Sequence, residues 1–137
     1  MAPMKKILFS LLIFSFAIGC SAPIQERILG IWERTSTCTP EGQCQDAVAG
    51  KASKLTLLRP GLAIYENPED SEKQRKIEYE LFEKNTKSNS PELLFRFLNL
   101  GFQIRYIILK ADRDKLELFN PDLNNTEIYK KVGVVAE

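Results

Sequence analysis

Arg75–Glu83 reads RKIEYELFE, and the order of its side chains decides the fold class. Ile77, Tyr79 and Leu81 share one parity, whereas Glu78 and Glu80 share the other. Successive side chains of a strand leave on opposite faces, so this stretch describes a half-buried strand with its glutamates in water. Helical periodicity is poor everywhere after residue 50. The alternation recurs instead. Leu93, Phe95 and Phe97 alternate with Leu94, Arg96 and Leu98, and Ile104, Tyr106 and Ile108 share a face within Gln103–Lys110. Leu116 and Leu118 flank Glu117, and Thr126–Val132 closes the series. Phe95, Phe97, Tyr106 and Phe119 read as core.

Turn chemistry separates these runs. Arg59-Pro60-Gly61 suits a type II turn between Leu55–Leu58 and Leu62–Glu66. Leu100-Gly101, Ala111–Asp114 and Asn120–Asn125 break the later runs, while Asn67–Gln74 and Lys84–Pro91 read as solvated loops. A helical turn is expected only over Asp46–Ser53. About eight strands result, near 28–36, 53–58, 62–66, 75–83, 92–99, 102–110, 114–119 and 126–132. Their connections are short and consecutive, which predicts an all-β, antiparallel, up-and-down barrel without free edges. Such a barrel fills its own interior or holds one small ligand.

The chain has 137 residues, which allows one domain, and its 19 basic and 18 acidic side chains give a formal charge of only +1. No broad electropositive field is implied, so nucleic acid is not an expected partner. Histidine is absent. That removes Ser-His-Asp and Cys-His nucleophile activation, imidazole proton shuttles and His-ligated zinc. No Gly-rich phosphate loop, Gly-x-Ser-x-Gly elbow or metal-ligand cluster appears, so neither an enzyme, a metal nor a cofactor is expected.

The N-terminus has a different composition. Lys5 and Lys6 precede Ile7–Ile18, an uncharged apolar run of 12 residues. Spanning a bilayer takes about 20, and the run matches the apolar region of a secretory signal peptide. It exits through Ala17-Ile18-Gly19-Cys20. This tetrad resembles a bacterial lipobox, with Gly19 and Cys20 at its two most restrictive positions. Ala17 stands where leucine is usual, a relaxation common in spirochaete-type lipoproteins. The resemblance implies cleavage after residue 19 and acylation of Cys20, which anchors the protein in a membrane. More than one acyl chain makes such an anchor stable, at roughly 0.8 kcal/mol per buried methylene. Ser21 after the cysteine favours the outer membrane by the diderm sorting rule. The divisions are then a leader (1–19), a lipidated tether (20–27), a β domain (28–132) and a tail (133–137). Loss of Lys5 and Lys6 turns the formal charge from +1 to −1.

Cys38 and Cys44 remain, enclosing the turn-rich Thr39-Pro40-Glu41-Gly42-Gln43. In an exported protein this pair suggests a structural disulfide. The alternative is a redox or metal pair, but the spacing is not Cys-x-x-Cys and no further soft ligand accompanies it.

Leu29-Gly30-Ile31-Trp32-Glu33 places Gly-x-Trp at the start of the first strand. This resembles the first motif of lipocalins and bacterial lipocalin-like domains, and the rhythm of Leu55-Thr56-Leu57, Gly61, Tyr79, Leu116-Glu117-Leu118 and Ile128-Tyr129-Lys130 extends the likeness over residues 28–132. The resemblance implies that Gly30 relieves crowding and that Trp32 plugs one barrel end. It also implies that a late basic side chain, here Lys130 or Lys131, packs over the indole. Trp32 reads equally well as a core residue. Arg96 and Arg105 lie within apolar strands, and a guanidinium there would suit a ligand carboxylate in the barrel. Tyr106 is a further candidate to fix a head group. The simpler reading puts both arginines in solvent or against glutamates. Two functions are expected from these features: binding of a small hydrophobic ligand, or action through the surface of a filled barrel on an envelope or host protein.

Overall fold

The seven strands between Lys54 and Gly133 pair in sequence order, each antiparallel to the next. The computed structural model describes residues 22–83 and 89–135. Its elements are α1 (Ile24–Arg27), β1 (Gly30–Cys38), β2 (Cys44–Asp46), β3 (Lys54–Arg59), β4 (Leu62–Glu66), β5 (Gln74–Phe82), β6 (Glu92–Phe97), β7 (Phe102–Ala111), β8 (Lys115–Asn120) and β9 (Asn125–Gly133). β1 bonds β3 on one edge and β9 on the other. The ring β1 with β3 to β9 is therefore a closed antiparallel barrel of eight strands, as the alternation predicts.

β2 is a ninth strand outside that ring. The edge of β1 bonds β3 from Gly30 to Glu33 and then β2 from Ser36 to Cys38. Cys38 and Cys44 face each other across the resulting hairpin and form the disulfide. The helical turn expected over Asp46–Ser53 is corrected: β2 extends to Asp46, and the following residues to Ser53 are turn and coil. The first strand starts at Gly30, because Ile28 instead closes α1. Among the described residues no helix is long and apolar enough to cross a membrane. The leader, the lipobox and Cys20 lie outside the described residues.

Alternation fills the inside of the ring. Trp32, Leu57, Leu93, Leu116 and Leu118 are fully buried there, along with Ile28 beneath them. Phe119 is a correction: it has the parity of Glu117, so it lies on the outer face and only Leu116, Leu118 and Asn120 of β8 point inward.

The two barrel ends differ. At one end α1 packs Ile24 and Ile28 against the core, and Arg27 donates to the Ala111 carbonyl at 3.1 Å. Trp32 plugs this end, donating from Nε1 to the Ile28 carbonyl at 2.8 Å. Lys131 lies with its Nζ 5.0 Å from the centre of the indole ring. Gly30 is at φ +141°, and a Cβ there would stand 2.9 Å from the Lys131 Cε. The glycine thus serves both a backbone angle that side chains disfavour and the close approach of the lysine. The β3–β4 and β7–β8 turns share this closed end. The opposite end carries the disulfide hairpin, the loop Asn67–Lys73, the turn after Phe97 and the loop before Asn125.

Candidate functional site

Inside the open end is a partly open cavity of about 220 Å³. Inward residues of seven strands, β3 to β9, build it. Leu55, Ile77, Phe95 and Leu118 form apolar walls, Tyr106 and Tyr129 lie deeper, and Tyr65, Phe97 and Phe102 approach the mouth. The rings pack on each other: Tyr65 meets Phe97 edge-on at 5.9 Å, Phe95 meets Tyr106 edge-on at 5.7 Å, and Phe97 stacks on Phe102 at 4.7 Å.

The deep polar group is a shared carboxylate. Glu127 and Tyr129 have the same parity on β9, and both are turned inward. Tyr129 donates to one Glu127 oxygen at 2.6 Å, and Tyr106 donates to the other at 2.9 Å. Burial pushes both phenols well above their ordinary range, and the Glu127 charge pushes them further. Tyr65 is raised by the same two causes in the same order, opposed by the Arg34 charge.

Arg75 closes one side of the mouth. It shares the inward parity of Ile77 and Tyr79, but at the end of β5, where the guanidinium reaches the loop. Its Nε and Nη2 donate to the two oxygens of Asp70 at 3.1 and 3.2 Å, and its Nη1 donates to Glu72 at 2.7 Å. The Arg75 hydrogen bond leads the causes that hold the Asp70 carboxyl below its usual range.

The residues singled out by sequence separate in space. Gly30 and Trp32 belong to the closed end, away from the cavity. Tyr106 enters the cavity. Arg96 and Arg105 do not, and their expected role toward a ligand in the barrel is corrected. Both have the parity opposite to Phe95, Phe97, Ile104 and Tyr106, so they leave from the outer face. Arg96 pairs there with Glu80 at 2.6 Å and Arg105 with Glu92 at 3.3 Å. Sequence reasoning missed Arg75 and Glu127, although their parity with Ile77 and Tyr129 was available. Among the described residues no group of three or more His, Cys, Asp or Glu is placed to hold a metal. The arrangement is suited to binding: apolar walls, aromatic faces and a few fixed polar atoms.

No protein-family model matches the sequence, and no curated protein sequence matches it. Among solved structures, a lipocalin-like protein from Bacteroides uniformis ATCC 8492 superposes with a TM-score of 0.54 at 10% identity, covering 77% of this chain and 98% of that one. The fold is a lipocalin-like β-barrel.

Proposed function

We propose that this protein is a lipid-anchored cell-envelope protein that binds a small, largely apolar ligand through the open end of its barrel. The cavity carries this reading. An engineered cavity of roughly 150 Å³ lined by apolar side chains holds benzene. The space here is larger and opens to solvent, so it suits an aromatic ring or one end of an acyl chain. Each Å² of apolar ligand surface removed from water contributes roughly 25 cal/mol. Binding is favoured over catalysis because the chain has no histidine to activate a nucleophile.

The anchor reading rests on the lipobox-like tetrad and on where the chain enters the barrel. Ile24 sits at the closed end, four residues after Cys20. That tether reaches about 14 Å at most when fully extended. An acylated Cys20 therefore sets the closed end against the bilayer and turns the mouth away from it.

The second reading, action through the surface on an envelope or host protein, draws on apolar side chains exposed around the mouth. Leu98 is 64% and Leu123 68% exposed, beside half-exposed Leu100 and Phe102. A patch of this kind is a common docking feature.

Native mass spectrometry of the chain from Ala22 onward, with solvent extraction of whatever co-purifies, tests the first reading. A bound mass, or uptake of added octan-1-ol, is expected. A clean unliganded mass with no uptake would leave the second reading standing.

A further inference from the structure

Resting on the ligand-binding reading, we infer that the cavity selects an apolar ligand that carries an ammonium group and discriminates against carboxylates. A hydroxyl has one hydrogen, and a carboxylate only accepts. Tyr106 and Tyr129 both direct that hydrogen at Glu127, at 2.9 and 2.6 Å. What they turn to the cavity is oxygen lone pairs. Donation to a carboxylate polarises each phenol and makes its oxygen a better acceptor.

The cation at the mouth does not reverse this polarity. Arg75 lines the cavity, but its charge is already met by Asp70 and Glu72, which accept from three of its five N–H groups. Asp70 lines the mouth as a further acceptor. Arg34 and Glu127 both act on the Tyr65 and Tyr106 phenols from behind the lining, and at each phenol the Glu127 charge outweighs the Arg34 charge. Of these charged residues, Asp70 and Arg75 line the space and are paired with each other, while Glu127 holds the phenols from behind it.

The walls point the same way. Tyr65, Phe95, Phe97, Phe102, Tyr106 and Tyr129 all line the space. Aromatic faces attract a cation, most strongly where water is excluded, and repel an anion's charge. An ammonium group gains from the rings, from the phenol oxygens and from the charge behind them. A carboxylate meets acceptors at Tyr106, Tyr129 and Asp70.

The test uses three probes of one skeleton, 2-phenylethylammonium, 2-phenylethanol and phenylacetate, titrated by calorimetry into the exported protein at neutral pH. The ammonium is expected to bind at least about tenfold tighter than phenylacetate, a difference of about 1.4 kcal/mol. Glu127→Gln, which keeps the shape and removes the charge, is expected to abolish most of that ratio. Phenylacetate binding as tightly as the ammonium would overturn the inference while leaving the ligand-binding reading intact. So would an ammonium preference that survives Glu127→Gln, since surface charge would then explain it. Binding of none of the three would overturn the ligand-binding reading itself. Should Glu127→Gln lose the barrel's circular dichroism, Tyr106→Phe serves instead. It is expected to weaken the ammonium by about three- to tenfold, one hydrogen bond's worth, and to leave phenylacetate unchanged. Ammonium affinity unaffected by Tyr106→Phe would overturn the inference.

Discussion

Gly30 answers two demands at once, and each can be removed separately. Its φ of +141° is one, and the Lys131 side chain pressed against its Cα is the other. Gly30→Ala is expected to cost about 1–3 kcal/mol from the backbone angle, plus the displacement of Lys131. Lys131→Ala removes the side-chain clash but neither the angle nor the Gly133 carbonyl oxygen, which would stand 3.1 Å from the same Cβ. The double variant should therefore be more stable than the sum of the singles by about 0.5 kcal/mol or more, read from denaturant melts. Strict additivity would show that Lys131 gives way freely. The tyrosines supply a second residue-scale prediction. All four phenols, Tyr65, Tyr79, Tyr106 and Tyr129, are raised, with burial the first cause in each. A phenol raised in the folded state favours folding fully below the unfolded value of 10.0, and that contribution disappears as pH climbs above it. Phenolate absorbance should therefore stay low through pH 10 and rise together with unfolding. A separate phase in folded protein, centred at the ordinary value, would contradict this. The cavity's polar residues were legible only in part. Arg75 and Glu127 share parity with buried neighbours, but charge argues for solvent. What reverses that expectation is a partner distant in sequence, Tyr106 for Glu127, or supplied by a loop, Asp70 for Arg75. Alternation carries no record of such partners.

Among the elements, β2 shows where pattern reading stops. Its three residues are all exposed, so Cys44–Asp46 has no apolar face to alternate. The only sequence signal in that region was the cysteine pair, which identified the disulfide but not the strand it holds. The alternation of β6 and β7 contained the outward placement of Arg96 and Arg105, and the weight given to guanidinium chemistry ran against it. A hairpin without a hydrophobic face depends on its cross-link. Closing a loop of about seven residues contributes about 2 kcal/mol in the chain-entropy model. Cys38→Ser with Cys44→Ser should thus lower Tm by on the order of 8 °C. Amide exchange should quicken at Gln45, whose strand contributes no core, while the amides of β6 to β8 keep their protection. Exchange that quickened uniformly around the barrel would mean that the hairpin supports the whole ring.

For the whole molecule, the closed barrel was legible because the connections are short and the inward faces are mostly apolar, whereas the cavity was not. Whether inward side chains fill a barrel depends on how rings such as Phe97 and Phe102 stack, and stacking is not written in parity. The polarity of the barrel has its own consequence. Trp32, α1 and the Arg27 contact with Ala111 gather at one end, and the mouth lies at the other, so an anchor at Cys20 fixes which end sees the membrane. Protein extracted from the envelope should have an intact mass that begins at Cys20 and includes acyl chains, and Cys20→Ser should lose the acyl mass. A mass without acylation would remove the anchor. Given the anchor, a fluorophore placed through Arg113→Cys, in the turn beside Ala111, should be quenched by lipids labelled near the head group. One placed through Leu123→Cys, on the exposed loop at the mouth, should be quenched far less, because strands of nine or ten residues at about 3.3 Å per residue separate the ends. Equal quenching, or stronger quenching at residue 123, would show that the barrel lies over and presents its mouth to its own bilayer. A ligand would then enter from that bilayer, and not from the aqueous side that the short tether implies.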